Sequence, residues 1–286
     1  SHPTTPTKTY YIQYCFPDDG LLLRFAHSCY YDLEKAKTAA ELFFTIRASA
    51  PDLINNRDPL SPTMQKAFNI TNLAQMKISG NRCLWVWQLN DPGLENYDYA
   101  RDAKLFFMAT DLWFLTNDHL CDADVVLMDV KDISLKFLTK FNVSIARKLS
   151  KYQQEALPIR LKQVHIVNAP PFIDKLFALM KPMLKKEITD LIHFHPPKSD
   201  SLFKYLDKED LPKDYGGTLP AMEEEMKLVV ADIIYFSLAK HVLRITKCEI
   251  VFVCLYGYSL KVKFFTRKNI SFLWEKPSSF IILTVI

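Results

Sequence analysis

The sequence predicts an α/β protein in which an all-helical module precedes a largely parallel sheet covered by helices. Over the first eighty residues, apolar side chains recur at spacings of three and four, which is the period of an amphipathic helix. From Arg82 onwards, apolar runs of strand length alternate with longer helical stretches. This alternation is typical of parallel strands that are joined by crossover helices.

The helical module is expected over residues 1–80. An apolar stripe at 21–26 predicts a first helix, and a second is predicted from Tyr31 to Ile46 with acidic side chains near its start. Prolines at 51, 59 and 62 then interrupt the chain. We therefore expect a small, wholly helical unit before the sheet begins.

The sheet domain is expected over residues 81–226. Strands are predicted at 83–89, 125–130 and 164–168, and helices at 104–120, 137–153 and 172–182. Residues 191–195 are either a fourth strand or a transition from helix to strand. Residues 227–286 form a third region, which ends in a basic, β-rich stretch. Its apolar run at 250–255 predicts a strand without a partner, which is a liability for aggregation or membrane adhesion.

Composition narrows the classes of function. With 286 residues, 49% of them hydrophobic, the chain has enough apolar material for a large core. Its 36 basic and 32 acidic residues leave a formal charge of only +4, so we expect no nucleic-acid partner. Glycine occurs six times and never in a phosphate-binding loop pattern.

The cysteines and the apolar runs bear on the compartment. None of the six cysteines forms a Cys-x-x-Cys pair, so reduced thiols in a cytoplasmic protein are expected. The first twenty residues lack the apolar run of a secretory signal, and no stretch reaches the length of a membrane span, roughly 18–20 residues.

Neither catalysis nor a metal site is predicted. The sequence has no Gly-x-Ser-x-Gly and no spacing that assembles a Ser-His-Asp triad, and we expect no cofactor. His193 and His195 are either two metal ligands on one strand face or a packed, hydrogen-bonded pair. Asp129 at a strand end is either catalytic or holds the following turn or a buried Arg or Lys.

A helix with a wide apolar arc is predicted near residues 172–184. Phe172, Leu176, Leu179 and Met183 share one stripe, and a second apolar stripe lies beside it. One contact surface does not account for so wide an arc. The helix is therefore either buried between two layers or a lid that closes over an apolar ligand and meets a membrane when it opens.

Six motifs occur together in a fixed order. They are LLRF at 22–25, DLEKA at 32–36, PIRLKQVHIVNAP at 158–170, KPML at 181–184, IHFH at 192–195 and LPKDYGG at 211–217. This set resembles the CRAL-TRIO lipid-binding family over about residues 18–226, in particular the branch, with its insect members, that carries tocopherol and retinaldehyde. The resemblance implies a helical module followed by a CRAL-TRIO domain with a sheet floor and a mobile lid helix.

The resemblance also implies a ligand site. The family's lining positions fall on Phe106, Thr110, Val126, Met128, Leu149, Leu157, Val164, Phe172, Leu176, Leu179 and Met183. Thr110 stands where tocopherol carriers have a small hydroxyl residue, so it either binds a ligand hydroxyl or bonds back to its own helix.

A membrane site is implied by basic residues. Arg160 and Lys162 match two phosphoinositide-binding positions of the family, whereas Cys29, Glu187 and Leu191 fill the others. Lysines 181, 185 and 186 on the lid segment either add to the attraction of an anionic membrane or are solvated; of these, Lys185 and Lys186 are assigned to the membrane site.

The expected function is that of a soluble, cytoplasmic, monomeric carrier that associates transiently with membranes. Its ligand is a small hydrophobic molecule: a tocopherol, retinoid, carotenoid or phospholipid. The alternative is a regulatory or interaction module that responds to a bound lipid without transferring it in bulk.

Overall fold

The computed structural model describes residues 19–246, 249–256, 259–265 and 271–275. The chain divides into two compact units, Ser1–Val230 and Ala231–Ile286. Among the helices within the described ranges, none combines the length and the hydropathy needed to cross a bilayer.

The chain begins with four helices, α1 (Asp19–Ser28), α2 (Leu33–Ala48), α3 (Pro51–Ile54) and α4 (Pro62–Ile70). The predicted helices at 21–26 and 31–46 are confirmed as α1 and α2. Asp32 caps α2, because its carboxylate accepts from the backbone N–H of Lys35. Pro51 and Pro62 do not merely break the chain, since each begins a new helix.

The central sheet has five strands in the order β1 (Thr71–Ile78), β2 (Arg82–Leu89), β3 (Ala123–Asp129), β4 (Leu161–Val167) and β5 (Ile192–His195). The last four are parallel, as predicted, and β1 is antiparallel to β2. The expectation that all of the first eighty residues are helical is wrong, because β1 lies among them. Gly80 and Asn81, both with positive φ, form the tight connection to β2.

The remaining helices are α5 (Tyr99–Thr116), α6 (Phe137–Lys140), α7 (Val143–Glu155), α8 (Ile173–Met180), α9 (Lys186–Thr189) and α10 (Met222–Thr246). The single helix predicted at 137–153 is two, because Asn142 caps α7 by accepting from the N–H of Ile145. The helix predicted at 172–182 is α8 followed by a 3-10 turn, Lys181–Met183.

The two faces of the sheet are packed differently. One face, which we call the closed face, presents Leu84, Val86, Val125 and Leu127 to a core shared with Leu202, Leu206, Leu211 and Met222. The opposite face, which we call the open face, meets α5 and α8. Trp85 contacts Trp113 of α5, and Phe194 contacts Phe177 of α8.

The second unit contains an antiparallel sheet of β6 (Glu249–Tyr256), β7 (Ser259–Phe265) and β8 (Ser271–Glu275), in that order. The strand predicted at 250–255 is therefore present, but the expectation that it lacks a partner is wrong, since β6 pairs with β7.

Two cysteines are bonded, contrary to the expectation of reduced thiols. Cys83 and Cys121 form a disulfide with Cα atoms 5.8 Å apart, although 38 positions separate them along the chain. The parallel pairing of β2 and β3 brings their beginnings together, and Cys121 lies just before β3. Cys29 is a free thiol.

Candidate functional site

The middle strands carry apolar side chains that remain reachable on the open face. Val126 and Met128 of β3 are partly exposed, whereas Val125 and Leu127 beside them on the closed face are 1% and 0% exposed. Residues in the interior of a parallel sheet are ordinarily buried on both faces. The open face is therefore incompletely covered at Val126 and Met128, and we call the region above them the cleft.

Helix α8 covers part of the open face. Leu176 is buried in a cluster that includes Ile166 and Phe194, and Phe172 packs against the same cluster. The ring of Phe177 meets that of Phe194 edge-on at 5.3 Å. On the other side of the helix, Leu179 is 41% exposed. The alternative of a helix buried between two layers is thus wrong, since only one side of α8 is covered.

Ten of the eleven predicted lining residues fall into three groups. Val126, Met128 and Val164 lie on the open face, with Phe172 and Leu176 against the same face. Phe106, Leu149 and Leu157 instead pack against the core between α2, α5 and α7. Leu179 lies on the outer side of α8, and Met183 lies in the 3-10 turn beyond it.

Thr110 does not face the cleft. It is completely buried, and its hydroxyl donates to the carbonyl oxygens of Phe106 at 2.9 Å and Phe107 at 3.3 Å. The hydroxyl proton is thereby used within its own helix, which favours the alternative that Thr110 bonds back to that helix.

Four apolar residues of the site were not among the predicted positions. Trp87, Ile166, Phe194 and Phe177 all lie at the contact between the open face and α8. Strand alternation carried a usable signal for two of them, because Ile166 and Phe194 are two residues from Val164 and Ile192 and therefore share their face.

The predicted membrane residues Arg160 and Lys162 both reach Tyr30, as their alternation along the strand predicts. Arg160 is the buried member of the pair. Its side chain is 10% exposed, its Nε donates to the carbonyl oxygen of His27 at 2.8 Å, and its guanidinium lies 4.2 Å from the Tyr30 ring. Lys162 is exposed and donates to the Tyr30 hydroxyl at 2.6 Å. Arg160 thus joins the N-terminal helices to the sheet, and Lys162 is the more accessible cation.

The other two predicted membrane residues, Lys185 and Lys186, are exposed at the start of α9. Lys185 Nζ lies 3.1 Å from a carboxylate oxygen of Glu155. An exposed pair of this kind contributes little stability, so it leaves Lys185 available to an anionic surface.

A cavity of about 110 Å3 with a mixed polar and apolar lining lies where β2, β3 and β4 begin, and Arg24, His27 and Asp124 are among its charged or titratable neighbours. Burial raises the pKa of Asp124, whose carboxylate accepts from Trp85 Nε1 and from the N–H of Arg160, both at 2.7 Å. Burial and the charge of Arg160 lower the pKa of His27. The cavity is lined by apolar side chains, such as Trp85 and Phe114, as well as by these polar groups, and it lies at the end of the sheet where the strands begin.

Hydrogen bonds indicate the role of Asp129 at the end of β3. Asp129 is 2% exposed and accepts from the N–H of Lys131 at 3.0 Å, from Asn168 Nδ2 at 2.9 Å and from the Tyr215 hydroxyl at 3.3 Å. Asp129 therefore stabilises the turn after β3 and links it to the Tyr-Gly-Gly segment. None of these three hydrogen bonds comes from an Arg or Lys side chain.

The histidine pair is packed rather than metal-binding. His195 Nε2 lies 3.0 Å from His165 Nδ1, and His195 Nδ1 lies 2.7 Å from Ser201 Oγ. The ring of His193 stacks against that of His165 at 5.4 Å. Over the part of the chain that the structure describes, no group of three or more His, Cys, Asp or Glu side chains is placed to hold a metal ion.

Comparison with known families identifies two segments. Residues 79–217 match the CRAL/TRIO domain, and residues 16–64 match the Pinta-like UBA domain. The first match includes the sheet from β2 onwards with α8, and the second covers α1, α2 and α3.

Individual proteins and a solved structure also resemble this chain. The human protein named alpha-tocopherol transfer protein-like is 30% identical over 204 residues, which cover 70% of this chain and 59% of that protein. Rat clavesin-1 is 34% identical over 211 residues, covering 71% and 58%. The chain thus spans less than two thirds of these relatives. The crystal structure of Sfh5 matches with a TM-score of 0.50 at 14% identity, covering 79% of this chain and 81% of Sfh5, which is a likeness of fold.

Proposed function

Because residues 79–217 of this chain form a CRAL-TRIO domain, we propose that the protein binds a small hydrophobic ligand between the open face and α8 and transfers it between membranes. The observation that carries the proposal is the pair of partly exposed apolar residues Val126 and Met128 on the open face, next to Ile166 in the part of that face that α8 covers. A relative named for tocopherol transfer supports a lipid as the ligand.

The binding energy comes from removing apolar surface from water. Burial contributes about 25 cal/mol for each Å2 of apolar surface, so an elongated ligand is held without any polar contact. A tocopherol, a retinoid, a carotenoid and a phospholipid tail all meet this requirement. Because this proposed activity consists only of removing the apolar surface of a ligand from water, the protein acts as a carrier and not as an enzyme.

The surface beside α8 suits contact with a membrane. Leu135, Leu138 and Val143 are 46%, 40% and 50% exposed, and exposed Lys131 and Arg147 flank them. Phe137, in the same segment, packs against the cluster that holds Leu176. Apolar side chains with basic neighbours favour binding to an anionic bilayer, so a membrane held there would lie next to the lid.

A phosphoinositide would be held by Lys162, Lys185 and Lys186 rather than by Arg160, whose guanidinium is occupied inside the protein. Each accessible cation contributes about 1 kcal/mol to attraction by an anionic leaflet. The carrier would act in the cytoplasm, as a monomer, and associate transiently with membranes.

The proposal is tested by extracting the purified protein with organic solvent and by measuring lipid transfer between labelled vesicles. We expect a co-purifying lipid, and transfer that falls at least about tenfold in Leu176→Asp, because a carboxylate on the inner side of the lid is costly to bury. Leu60→Asp, at a position 54% exposed in a loop, is the matched control and should transfer normally.

Two results would change this interpretation. If the folded protein neither yields a lipid nor takes up an offered one, the carrier function is wrong. If it holds a lipid tightly and transfers none, the alternative of a lipid-responsive regulatory module is correct.

A further inference from the structure

The chain just beyond the lid is fastened to α7 by one side-chain amide. Gln154 Nε2 donates to the carbonyl oxygen of Met183 at 3.0 Å, and Gln154 Oε1 accepts from the backbone N–H of Lys185 at 2.7 Å. The amide thus bonds the backbone on both sides of Leu184. If the nitrogen and oxygen of the amide were exchanged, the oxygen would face the carbonyl oxygen of Met183 and the nitrogen would face the N–H of Lys185. These two backbone groups therefore fix the orientation of the amide.

Ser150 completes this contact, which we call the latch. It is 4% exposed, its Oγ donates to the carbonyl oxygen of Met183 at 2.9 Å, and it accepts from Gln154 Nε2 at 2.6 Å. Ser150 and Gln154 are four positions apart on α7, so they lie on one face of that helix. The latch therefore consists of two side chains of α7 and the backbone of Met183 and Lys185.

Helix α8 is held in a different way. Within the described residues, neither of its charged side chains, Asp174 and Lys175, makes a hydrogen bond or an ion pair, and its attachment to the sheet is through apolar side chains such as Leu176 and Phe177. Apolar contacts have no direction, so the acyl chains of a membrane can replace them. Lipid cannot replace a hydrogen bond to the backbone.

We propose that the latch is the pivot of the lid, with Gln154 as the positioning residue that keeps Met183–Lys185 on α7 while α8 swings away from the sheet. The 3-10 turn Lys181–Met183 separates the two, and Pro182 within it has no N–H to continue the helix. This inference rests on the proposed function, because the opening at issue is the one that admits the ligand.

Hydrogen exchange of the full chain without added lipid tests the pivot. In the wild type, amides of α8 should exchange faster than the amide of Lys185, which is bonded to Gln154. In Gln154→Ala the Lys185 amide should exchange about tenfold faster, since it loses its acceptor. Gln154→Glu keeps the acceptor and loses the donor to Met183, so its effect should be smaller.

The controls separate a pivot from a general loss of stability. Gln153→Ala, at the exposed neighbouring position on α7, should leave the Lys185 amide unchanged. Amides of β3 and β4 should exchange alike in all variants, whereas a globally weakened protein would expose them as well.

The pivot is wrong if the wild-type Lys185 amide exchanges as fast as those of α8, or if Gln154→Ala leaves it unchanged. Vesicle transfer measured on the same samples keeps this separate from the proposed function. If the wild-type protein transfers no lipid, the carrier role is contradicted, whatever the pattern of hydrogen exchange. If the pivot is absent, the wild-type protein should still transfer lipid.

Discussion

The ring of Phe177 in α8 meets the ring of Phe194 in β5 edge-on, with centroids 5.3 Å apart and planes at 78°. This pair joins α8, the proposed lid, to β5, the strand that follows it in the chain. An aromatic pair contributes about 0.5–1.5 kcal/mol beyond the area that it buries. Its removal should therefore shift the equilibrium of the lid towards the open state.

Phe177→Ala should release a bound fluorescent apolar probe about tenfold faster than the wild type, as measured by stopped-flow transfer to vesicles. Leu179→Ala removes an apolar side chain from the outer side of the same helix, where it is 41% exposed, and should release the probe at the wild-type rate. Equal rates for the two variants would show that the Phe177 contact does not hold the lid.

Asp111→Ala should destabilise the protein by about 3–5 kcal/mol, because it removes the carboxylate that forms ion pairs with Arg47 and Arg57. Asp111 Oδ2 accepts from Arg47 and from Arg57, each at 2.8 Å. Burial alone would raise the pKa of Asp111, but the two guanidinium groups hold it below its usual value. The contact links α5 to α2 and to the loop after α3, so urea unfolding of the whole chain is the appropriate measurement.

Glu41→Ala, on the exposed side of α2, is the control for this prediction, since it removes the same charge without breaking a buried pair. It should change the free energy of unfolding by less than about 0.5 kcal/mol. A loss for Asp111→Ala no greater than that of the control would show that the two arginines find other partners.

Periodicity located the parallel strands and α8, because each depends on a local pattern that tertiary contacts do not override. It missed β1, although Ala74, Met76 and Ile78 alternate there with the polar Gln75 and Lys77, because this short edge strand directly follows a segment with helical spacing. It also missed the bond between Cys83 and Cys121, since the proximity of distant residues depends on strand order.

The Tyr-Gly-Gly motif was found as a resemblance, and the structure supplies its physical reason. Gly216 has φ +77°, and a Cβ at Gly217 would collide with the carbonyl oxygen of Leu211. The cleft was only partly predictable, because the family's lining positions include Thr110, whose hydroxyl this chain uses inside α5. Which apolar side chains stay exposed follows from the packing of α8 and not from the composition of any strand.

Reduction of the disulfide should lower the free energy of unfolding by about 4 kcal/mol, from the loop entropy expected for cysteines 38 positions apart. Urea unfolding with and without dithiothreitol measures this difference. The double variant Cys83→Ser, Cys121→Ser should match the reduced wild type and no longer respond to the reductant. Cys29→Ser, which removes a free thiol and leaves the disulfide intact, should keep the full response. An unchanged wild-type midpoint would show that the bond does not restrict the unfolded chain.

Acid should destabilise the protein through His165 and His195. Burial, together with the charges of His195 and His193, lowers the pKa of His165 to about 3, and burial also lowers the pKa of His195. Since the folded-state pKa lies below the ordinary value near 6.5, the unfolded chain binds more protons as the pH falls. The stability is therefore complete above about pH 6.5 and is lost progressively between pH 6.5 and 3.

The slope is about 1.4 kcal/mol per pH unit for each proton that the folded state excludes, and urea unfolding at pH 7, 6 and 5 measures it. Asp102 has the opposite effect on the pH dependence of stability, because burial raises its pKa to about 6. The quantity to compare is therefore the difference in the free energy of unfolding between variant and wild type. His165→Gln should flatten the loss below pH 6.5, whereas His119→Gln, at an exposed position, should follow the wild type. If the free energy of unfolding depends on pH in the same way in the wild type and in His165→Gln, the acid sensitivity does not arise from these histidines.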